Sequence, residues 1–318
     1  MALNRSIIRY FYKGGAFMEN KASMTALMSA FVRAYHFKTS DFPVFSDSIA
    51  EKLISSEEYS AMAGNILGGI DFFAPEMKGK LSSEDILEYI VSSELAPTPL
   101  SRAIYCEECL DMAVKTGTRQ YVILGAGYDT FAFRNREFIS NYPVFETDHP
   151  LTQEDKLKRI DCAGLTVPEN LKLVPVDFST DDLGEKLISA GFDRTKPTLF
   201  SWLGVSYYLS EEEICRTLSA LAELSAEGSS VIFDFGGEGL FDSSDRRENN
   251  MLAMAMAAGE PMKSCFSNEK LSLLLNKYGF YIYELLDPKD IGERYFMKQK
   301  HMTPYTHIKL AMAVFRNT

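Results

Sequence analysis

The chain has 318 residues, with 33 Lys and Arg against 44 Asp and Glu, a formal charge of −11. Hydrophobic residues make up 46% and charged residues 24%, so a large core can form and disorder over most of the length is excluded. A surface this acidic lacks the clustered Lys and Arg that nucleic acid requires and repels anionic membranes, so neither is expected as a partner.

No stretch reaches the roughly 18 apolar residues of a membrane span. The opening MALNRSIIRYFYKGGAF has positive charge but no apolar core and no small-residue cleavage site, which argues against secretion. Residues 1–17 are expected to form a disordered leader or to follow an upstream start, with Met18 the functional beginning. The five cysteines are 106, 109, 162, 215 and 265. Cys106 and Cys109 form a lone C-x-x-C without a second pair or a His cluster, at a spacing that also fits one helix face. Buried thiols in a reducing cytoplasm are the expected reading, with no metal site.

Residues 18–118 read as helical. Apolar residues recur at helical spacing in 26–34, 49–54 and 86–91, and Ser82 or Ser83 before Glu84 and Asp85 starts the third of these. A longer helix over 101–116 is expected to turn Ile104, Leu110, Met112 and Ala113 inward. At Gly117 the pattern changes. β-rich runs at 120–124, 144–147, 171–176, 198–203 and 230–235 alternate with helical runs at 151–162, 181–190 and 210–226. Ser210 is placed to cap the last, with Glu211, Glu212 and Glu213 in its first turn. The alternation predicts a parallel sheet covered on both faces, which binds ligands beyond its carboxyl edge. Residues 236–263 begin with Gly236, Gly237 and Gly239 and become helical and Met-rich. They are too long for a simple connection and predict a cap, with 251–258 a buried helix. A helix at 268–277 and strands at 280–286 and 308–315 complete the chain.

Three successive strand ends carry the residue types of a nucleoside site. The first ends in Gly125-Ala126-Gly127, where a ligand can approach the backbone. Thr130 stands where the dinucleotide fingerprint has its third Gly, which weakens a pyrophosphate site. About 20 residues on, a strand ends in Glu146-Thr147-Asp148, and one of these two acids can accept from ribose hydroxyls. The third ends in Asp177-Phe178, an acceptor for an adenine amine and a cover for its ring.

On these residues the chain resembles the bacterial branch of the leucine carboxyl methyltransferase-like family of S-adenosylmethionine-dependent O-methyltransferases, from about residue 19 onward. The resemblance is carried by Ser101-Arg102, LGAGYDT (124–130), FETDHP (145–150) with Lys156, VPVDF (174–178), SWLGVSYYL (201–209) and ERYF (293–296), and also by Gly259-Glu260-Pro261 and Lys277-Tyr278-Gly279-Phe280. It implies an α/β class I methyltransferase (Rossmann-like) fold, with a doubly wound, mostly parallel seven-stranded sheet. It also implies an N-terminal helical lid at 18–118 and an S-adenosyl-L-methionine-binding domain at 119–318 that includes the cap at about 236–263. The implied roles place Arg102 on the carboxylate of the cofactor's methionine moiety, with an ion pair to a Glu of its own helix as the alternative. They place Gly125, Ala126 and Gly127 near the same moiety, Asp148 on the ribose, and Asp177 and Phe178 around adenine. Leu203 falls beside the cofactor, where some relatives carry a Glu in W-x-x-E-G-x-x-x-Y-L; either that carboxylate's role is absent here or the site is remodelled for another acceptor.

The expected reaction moves a methyl group from S-adenosyl-L-methionine to an oxygen, carboxylate or hydroxyl, of a small molecule or peptide, leaving S-adenosyl-L-homocysteine. A carboxylate acceptor needs no base; a hydroxyl does. Of four His, only His149 adjoins a motif, with an exposed or supporting role as the alternative to catalysis. Tyr207 is either pocket-lining or core. Arg33, Tyr35, His36, Arg294, Tyr295 and Phe296 are candidates to enclose the acceptor. The rival readings are an NAD-dependent oxidoreductase and a non-enzymatic S-adenosylmethionine-binding protein.

Overall fold

The computed structural model describes residues 23–317, so the expected leader and the start at Met18 lie outside the described residues. Helix α1 (Met24–Thr39) is capped by the Ser23 hydroxyl, which accepts from the Ala26 N–H, and it buries Leu27, Ala30, Phe31 and Ala34. The run at 49–54 is not a full helix but a 3-10 turn, Ala50–Leu53, started by Asp47, whose Oδ1 accepts from the N–H groups of Ile49 and Ala50. Helix α2 (Ser56–Gly68) opens with a capping box between Ser55 and Glu58.

Helix α3 (Ser83–Ile90) starts at the Ser82 cap and runs through a π turn, Val91–Leu95, toward α4 (Pro97–Thr116). Helix α4 begins four residues before the expected 101, because Pro97 and Pro99 fall in its first turn, where a missing N–H costs no helix bond. It turns Leu110 and Ala113 inward, but Met112 is 40% exposed, contrary to expectation.

The strands are β1 (Gln120–Leu124), β2 (Val144–Asp148), β3 (Leu171–Pro175), β4 (Thr198–Trp202), β5 (Ser230–Gly236), β6 (Phe280–Leu286) and β7 (Ile308–Phe315). Helices α5 (Pro150–Cys162), α6 (Leu183–Ser189), α7 (Glu211–Leu224), α8 (Arg246–Ala257) and α9 (Asn268–Lys277) follow β2, β3, β4 and, for the last two, β5. The seven-stranded sheet has the order β3-β2-β1-β4-β5-β7-β6; β1 to β5 are parallel and β7 runs antiparallel to both neighbours. Every residue of β1 is buried, as a central parallel strand requires. Its side chains alternate between two cores. Tyr121 and Ile123 join α1 and α4 on one face, while Val122 and Leu124 join Leu187, Leu218 and Leu275 on the other.

Strand order reverses at β1 and β4, which opens a crevice at their carboxyl ends. Helix α8 sits in the expected cap segment but is not a buried helix. Only Glu248, Asn250 and Ala255 are buried, and Met256 is 57% exposed. No helix among the described residues is long and apolar enough to cross a membrane.

Ser210 caps α7 in a full capping box with Glu213. Ser210→Ala is therefore expected to lower stability by about 1 kcal/mol in urea unfolding. A change near zero would show that the cap carries no energy.

Candidate active site

A cavity of about 560 Å³ lies at the carboxyl ends of β1, β2 and β4. That is within the roughly 300–1,000 Å³ of ligand sites. Its floor is the glycine loop after β1. The N–H groups of Gly125 and Ala126 both donate to the Thr147 carbonyl, at 2.9 and 3.0 Å, which turns the chain sharply. Gly125 has φ +69° and Gly127 φ +50°. A Cβ on Gly127 would lie 2.8 Å from the Ala26 Cβ, so the missing side chain lets α1 seat on the loop.

Asp148 ends β2 and lines this cavity. Its carboxylate accepts from the Gly127 N–H at 2.5 Å and the His149 N–H at 2.7 Å. Burial pushes its carboxyl up, opposed by those two donors. Glu146, the alternate-residue acid, does not reach the cavity. It is wholly buried and takes an ion pair from Lys156.

Arg102, near the start of α4, lines the cavity. Its Nη1 donates to the Tyr207 hydroxyl at 3.1 Å and to Asp234 Oδ2 at 3.3 Å, and its Nη2 to Ser29 Oγ at 3.4 Å. The ion-pair partner is therefore Asp234 of β5 and not a Glu of its own helix. Asp234 is wholly buried, and its Oδ1 accepts from the Gly204 N–H at 2.6 Å. A Cβ on Gly204 would fall 2.4 Å from Arg102 Nη1, and φ there is +71°. Gly204 is thus the seat of the guanidinium. Leu203, half-buried, lines the same cavity.

Asp47 ties α1 to the glycine loop. Its side chain has no exposure, and it accepts from Arg33 Nε at 2.8 Å and Thr130 Oγ1 at 2.8 Å, with Arg134 Nε at 3.5 Å. Arg33 Nη2 also donates to the Tyr128 carbonyl at 2.7 Å. Burial raises the Asp47 carboxyl, but the two guanidiniums and the Thr130 hydroxyl outweigh it and hold it below the usual carboxylate range.

The other expected site residues separate. Phe178 is half exposed at the cavity rim. Asp177 does not line it; its carboxylate accepts from the Ser179 N–H and hydroxyl, at 2.9 and 2.6 Å. His149 lines the cavity but is exposed and caps α5, with Nδ1 accepting from the Leu151 N–H at 3.3 Å. Tyr207 is buried and lines a second, adjoining cavity; Tyr208 lines both.

Of the six residues expected to enclose the acceptor, Arg33 lines the larger cavity. Tyr35 and His36 instead pack inside. His36 Nε2 accepts from the Val44 N–H, and desolvation lowers its pKa to about 4, leaving it neutral near pH 7. Arg294 and Tyr295 bond Glu108 on α4, and Phe296 is buried; none of these three lines either cavity. Cys106 and Cys109 are free and buried, Cys106 lying 3.3 Å from the Tyr121 hydroxyl. Burial pushes both thiols up, Cys109 to about 12. Among the described residues, no group of three or more His, Cys, Asp or Glu could hold a metal ion.

The family profile described as leucine carboxyl methyltransferase matches residues 26–222. The chain belongs to this family. It is 43% identical over 286 residues to YktD of Bacillus subtilis (strain 168), which is named as an S-adenosyl-L-methionine-dependent methyltransferase; the match covers 89% of this chain and 94% of that one. A protein of Mycolicibacterium paratuberculosis (strain ATCC BAA-968 / K-10) with the same enzymatic name is 31% identical over 215 residues, 67% of this chain and 65% of that one. A solved DUF574 family protein from Streptomyces avermitilis shares the fold, with TM-score 0.56 at 14% identity over 91% of this chain and 97% of that one. This chain is a leucine carboxyl methyltransferase-family enzyme dependent on S-adenosyl-L-methionine, on a class I methyltransferase fold. The oxidoreductase reading is set aside.

Sequence reasoning missed Asp47 and Asp234. For Asp234 a signal existed: a lone charge inside the apolar run SVIFDFG of a buried strand needs a partner.

Proposed function

We propose that this methyltransferase transfers the methyl group to an oxygen of a small-molecule acceptor, with S-adenosyl-L-methionine seated in the larger cavity. The observation that carries the reading is the convergence of Arg102, the glycine loop and Asp148 on one cavity of suitable volume.

The hydrogen-bond inventory fits the cofactor. A carboxylate has about four acceptor sites. Asp148 uses two on backbone N–H groups, which leaves room for two ribose hydroxyls. A guanidinium has five N–H donors. Arg102 makes three hydrogen bonds with Tyr207, Asp234 and Ser29, so donors remain for the carboxylate of the methionine moiety. Gly125 and Gly127 give that moiety a surface without side chains. Ala126 and Leu203 offer it apolar contact, and Phe178 at the rim covers the adenine ring. Asp177 keeps Oδ2 clear of Ser179 but does not line the cavity, so an adenine contact would need its side chain to turn inward.

When bound, S-adenosyl-L-methionine supplies a methyl group already activated on a sulfonium. The chain's task is then alignment and exclusion of water. Helix α1, docked on the loop through Arg33 and Asp47, forms the roof. The cap reaches the same mouth through Glu260, whose Oε2 accepts from Thr25 Oγ1 at 2.5 Å. The free thiols suit a reducing cytoplasm, where we place the activity.

The test is an acceptor panel of alcohols, phenols, carboxylic acids, amines and thiols, with S-adenosyl-L-homocysteine followed by mass spectrometry. The expected result is homocysteine-nucleoside product matched by an O-methylated acceptor. Transfer to nitrogen or sulfur acceptors alone would contradict the assignment.

A further inference from the structure

A second cavity of about 180 Å³ adjoins the first. The two share Thr25, Ser29, Pro99, Arg102 and Tyr208, so ligands seated in each would meet along that wall. A dry apolar cavity of about 150 Å³ takes one benzene ring. This one is sized for a single ring with a short substituent. Met24 and Met28 of α1, Met251 and Met254 of α8, and Met262 supply much of its wall. Thioethers adapt to irregular shapes and make favourable contacts with aromatic rings. This purpose explains why α8 is Met-rich yet only half-buried.

The charges around the cavity decide the chemistry of its occupant. Arg102 is the one cation lining it among the described residues, and its guanidinium is already shared between Asp234 and the cofactor carboxylate assigned to it above. Glu94 lines the same cavity with its side chain 1% exposed, held by Asn250 Nδ2 at 3.3 Å and Arg246 at 3.5 Å. Burial raises its carboxyl above the usual range. Glu260 lines the first cavity, and its Oε2 accepts from Thr25, which lines both. A carboxylate acceptor would therefore bring a further negative charge beside Glu94, whose partner Arg246 does not line the cavity, and toward Glu260, with no lining cation left to receive it. A hydroxyl acceptor brings one O–H donor, which either acid can accept.

We infer that the methionine-walled cavity receives the methyl acceptor and that this acceptor is a single-ring phenol or alcohol rather than a carboxylic acid. The inference rests on the methyl-transfer reading above. In the step, the hydroxyl gives its proton to the Glu260 carboxylate, its oxygen forms the new O–CH3 bond, and the S–CH3 bond breaks with its electron pair kept by sulfur. This supplies the base that no His provides.

The test is calorimetric titration of the protein, saturated with S-adenosyl-L-homocysteine, with para-ethylphenol and para-ethylbenzoate. The phenol is expected to bind at least about tenfold tighter, a difference of about 1.4 kcal/mol. Ala255→Phe fills the cavity from α8, and Met251→Trp does so from the preceding turn. Each is expected to weaken the phenol at least about tenfold while S-adenosyl-L-homocysteine affinity stays within about twofold. Glu260→Gln is expected to cut turnover of the bound phenol by about 10²-fold with its affinity unchanged, and Glu260→Asp to recover part of the loss. Benzoate binding as tightly as the phenol, no phenol binding, or phenol binding indifferent to both fillings would overturn the inference. Unchanged turnover in Glu260→Gln would remove Glu260 as the base. Failure of the wild type to bind S-adenosyl-L-homocysteine is a separate result, and it would count against the methyl-transfer reading itself.

Discussion

Asp47→Ala is expected to cost about 3–5 kcal/mol of stability, because it leaves the buried Arg33 without a carboxylate partner and Arg134 with Glu107 alone. Arg33 and Arg134 are each 12% exposed at the side chain, so water cannot fully replace the lost partner. Asp47 also accepts from the Thr130 hydroxyl and from the N–H groups of Ile49 and Ala50, all of which lose an acceptor. Since these bonds join α1, the 3-10 turn and the glycine loop, the loss should loosen the roof of the cavity as well. Urea unfolding with the mutant and wild type side by side measures it; a loss under about 1 kcal/mol would mean the cluster is energetically idle. The pH dependence follows from the sign of the shift. The folded carboxyl lies below its unfolded value, so its contribution is complete above about pH 4 and is lost as pH falls through the lower, folded pKa. Wild type should therefore lose stability more steeply than Asp47→Ala in that acid window.

Arg102→Ala is expected to weaken S-adenosyl-L-homocysteine binding by about 10²-fold. Hydrogen bonds to a charged group are worth about 1.5–3 kcal/mol, and the upper figure corresponds to about 10²-fold in affinity. Arg102→Lys should recover little. A lysine has three donors on a single nitrogen and cannot reach Asp234, Tyr207, Ser29 and a ligand carboxylate together. Gly204→Ala should reproduce much of the loss without touching the charge, because its Cβ would occupy the place of the guanidinium. Isothermal calorimetry on the three variants checks this. Binding unchanged in Arg102→Ala would assign the arginine to the Asp234 pair alone.

The sheet was legible because its signals are local. The runs at 120–124, 280–286 and 308–315 coincide with β1, β6 and β7, and β2 to β5 differ from their predicted ends by a single residue. Helix α7 was legible from its cap, since Ser210 and Glu213 are three residues apart. The run at 181–190 shortened at its start because Asp182 caps α6 by accepting from the Glu185 N–H. Where burial was misjudged, the reason lay in tertiary placement. Met112 belongs to an apolar helical pattern but falls on the outer face of α4, and the Met-rich α8 turns Met251 and Met254 to a cavity wall while Met256 faces outward.

The candidate site divided in the same way. Gly125, Gly127 and Asp148 were legible as strand ends, and the family resemblance pointed to Arg102. What holds them was not legible. Thr130 reaches Asp47 across 83 residues, Arg102 reaches Asp234 across 132, and Thr25 reaches Glu260 across 235. No spacing rule links residues so far apart; only the packing of α1, α4 and the cap against the sheet edge brings them together. Thr130 shows the point most clearly. Its absence of glycine argued against one kind of ligand, yet in the folded chain its hydroxyl anchors the Asp47 cluster.

Asp148 and the glycine loop are proposed to form the site for S-adenosyl-L-methionine. Calorimetric titration of the purified protein with S-adenosyl-L-methionine, S-adenosyl-L-homocysteine and NADH, beside Asp148→Ala, tests it most directly. Both sulfur nucleosides are expected to bind and NADH is not, with affinity for the pair lowered at least about tenfold in Asp148→Ala and the fold intact. Wild-type protein that is folded but binds neither sulfur nucleoside, or an Asp148→Ala variant that binds them as tightly as wild type, would contradict it.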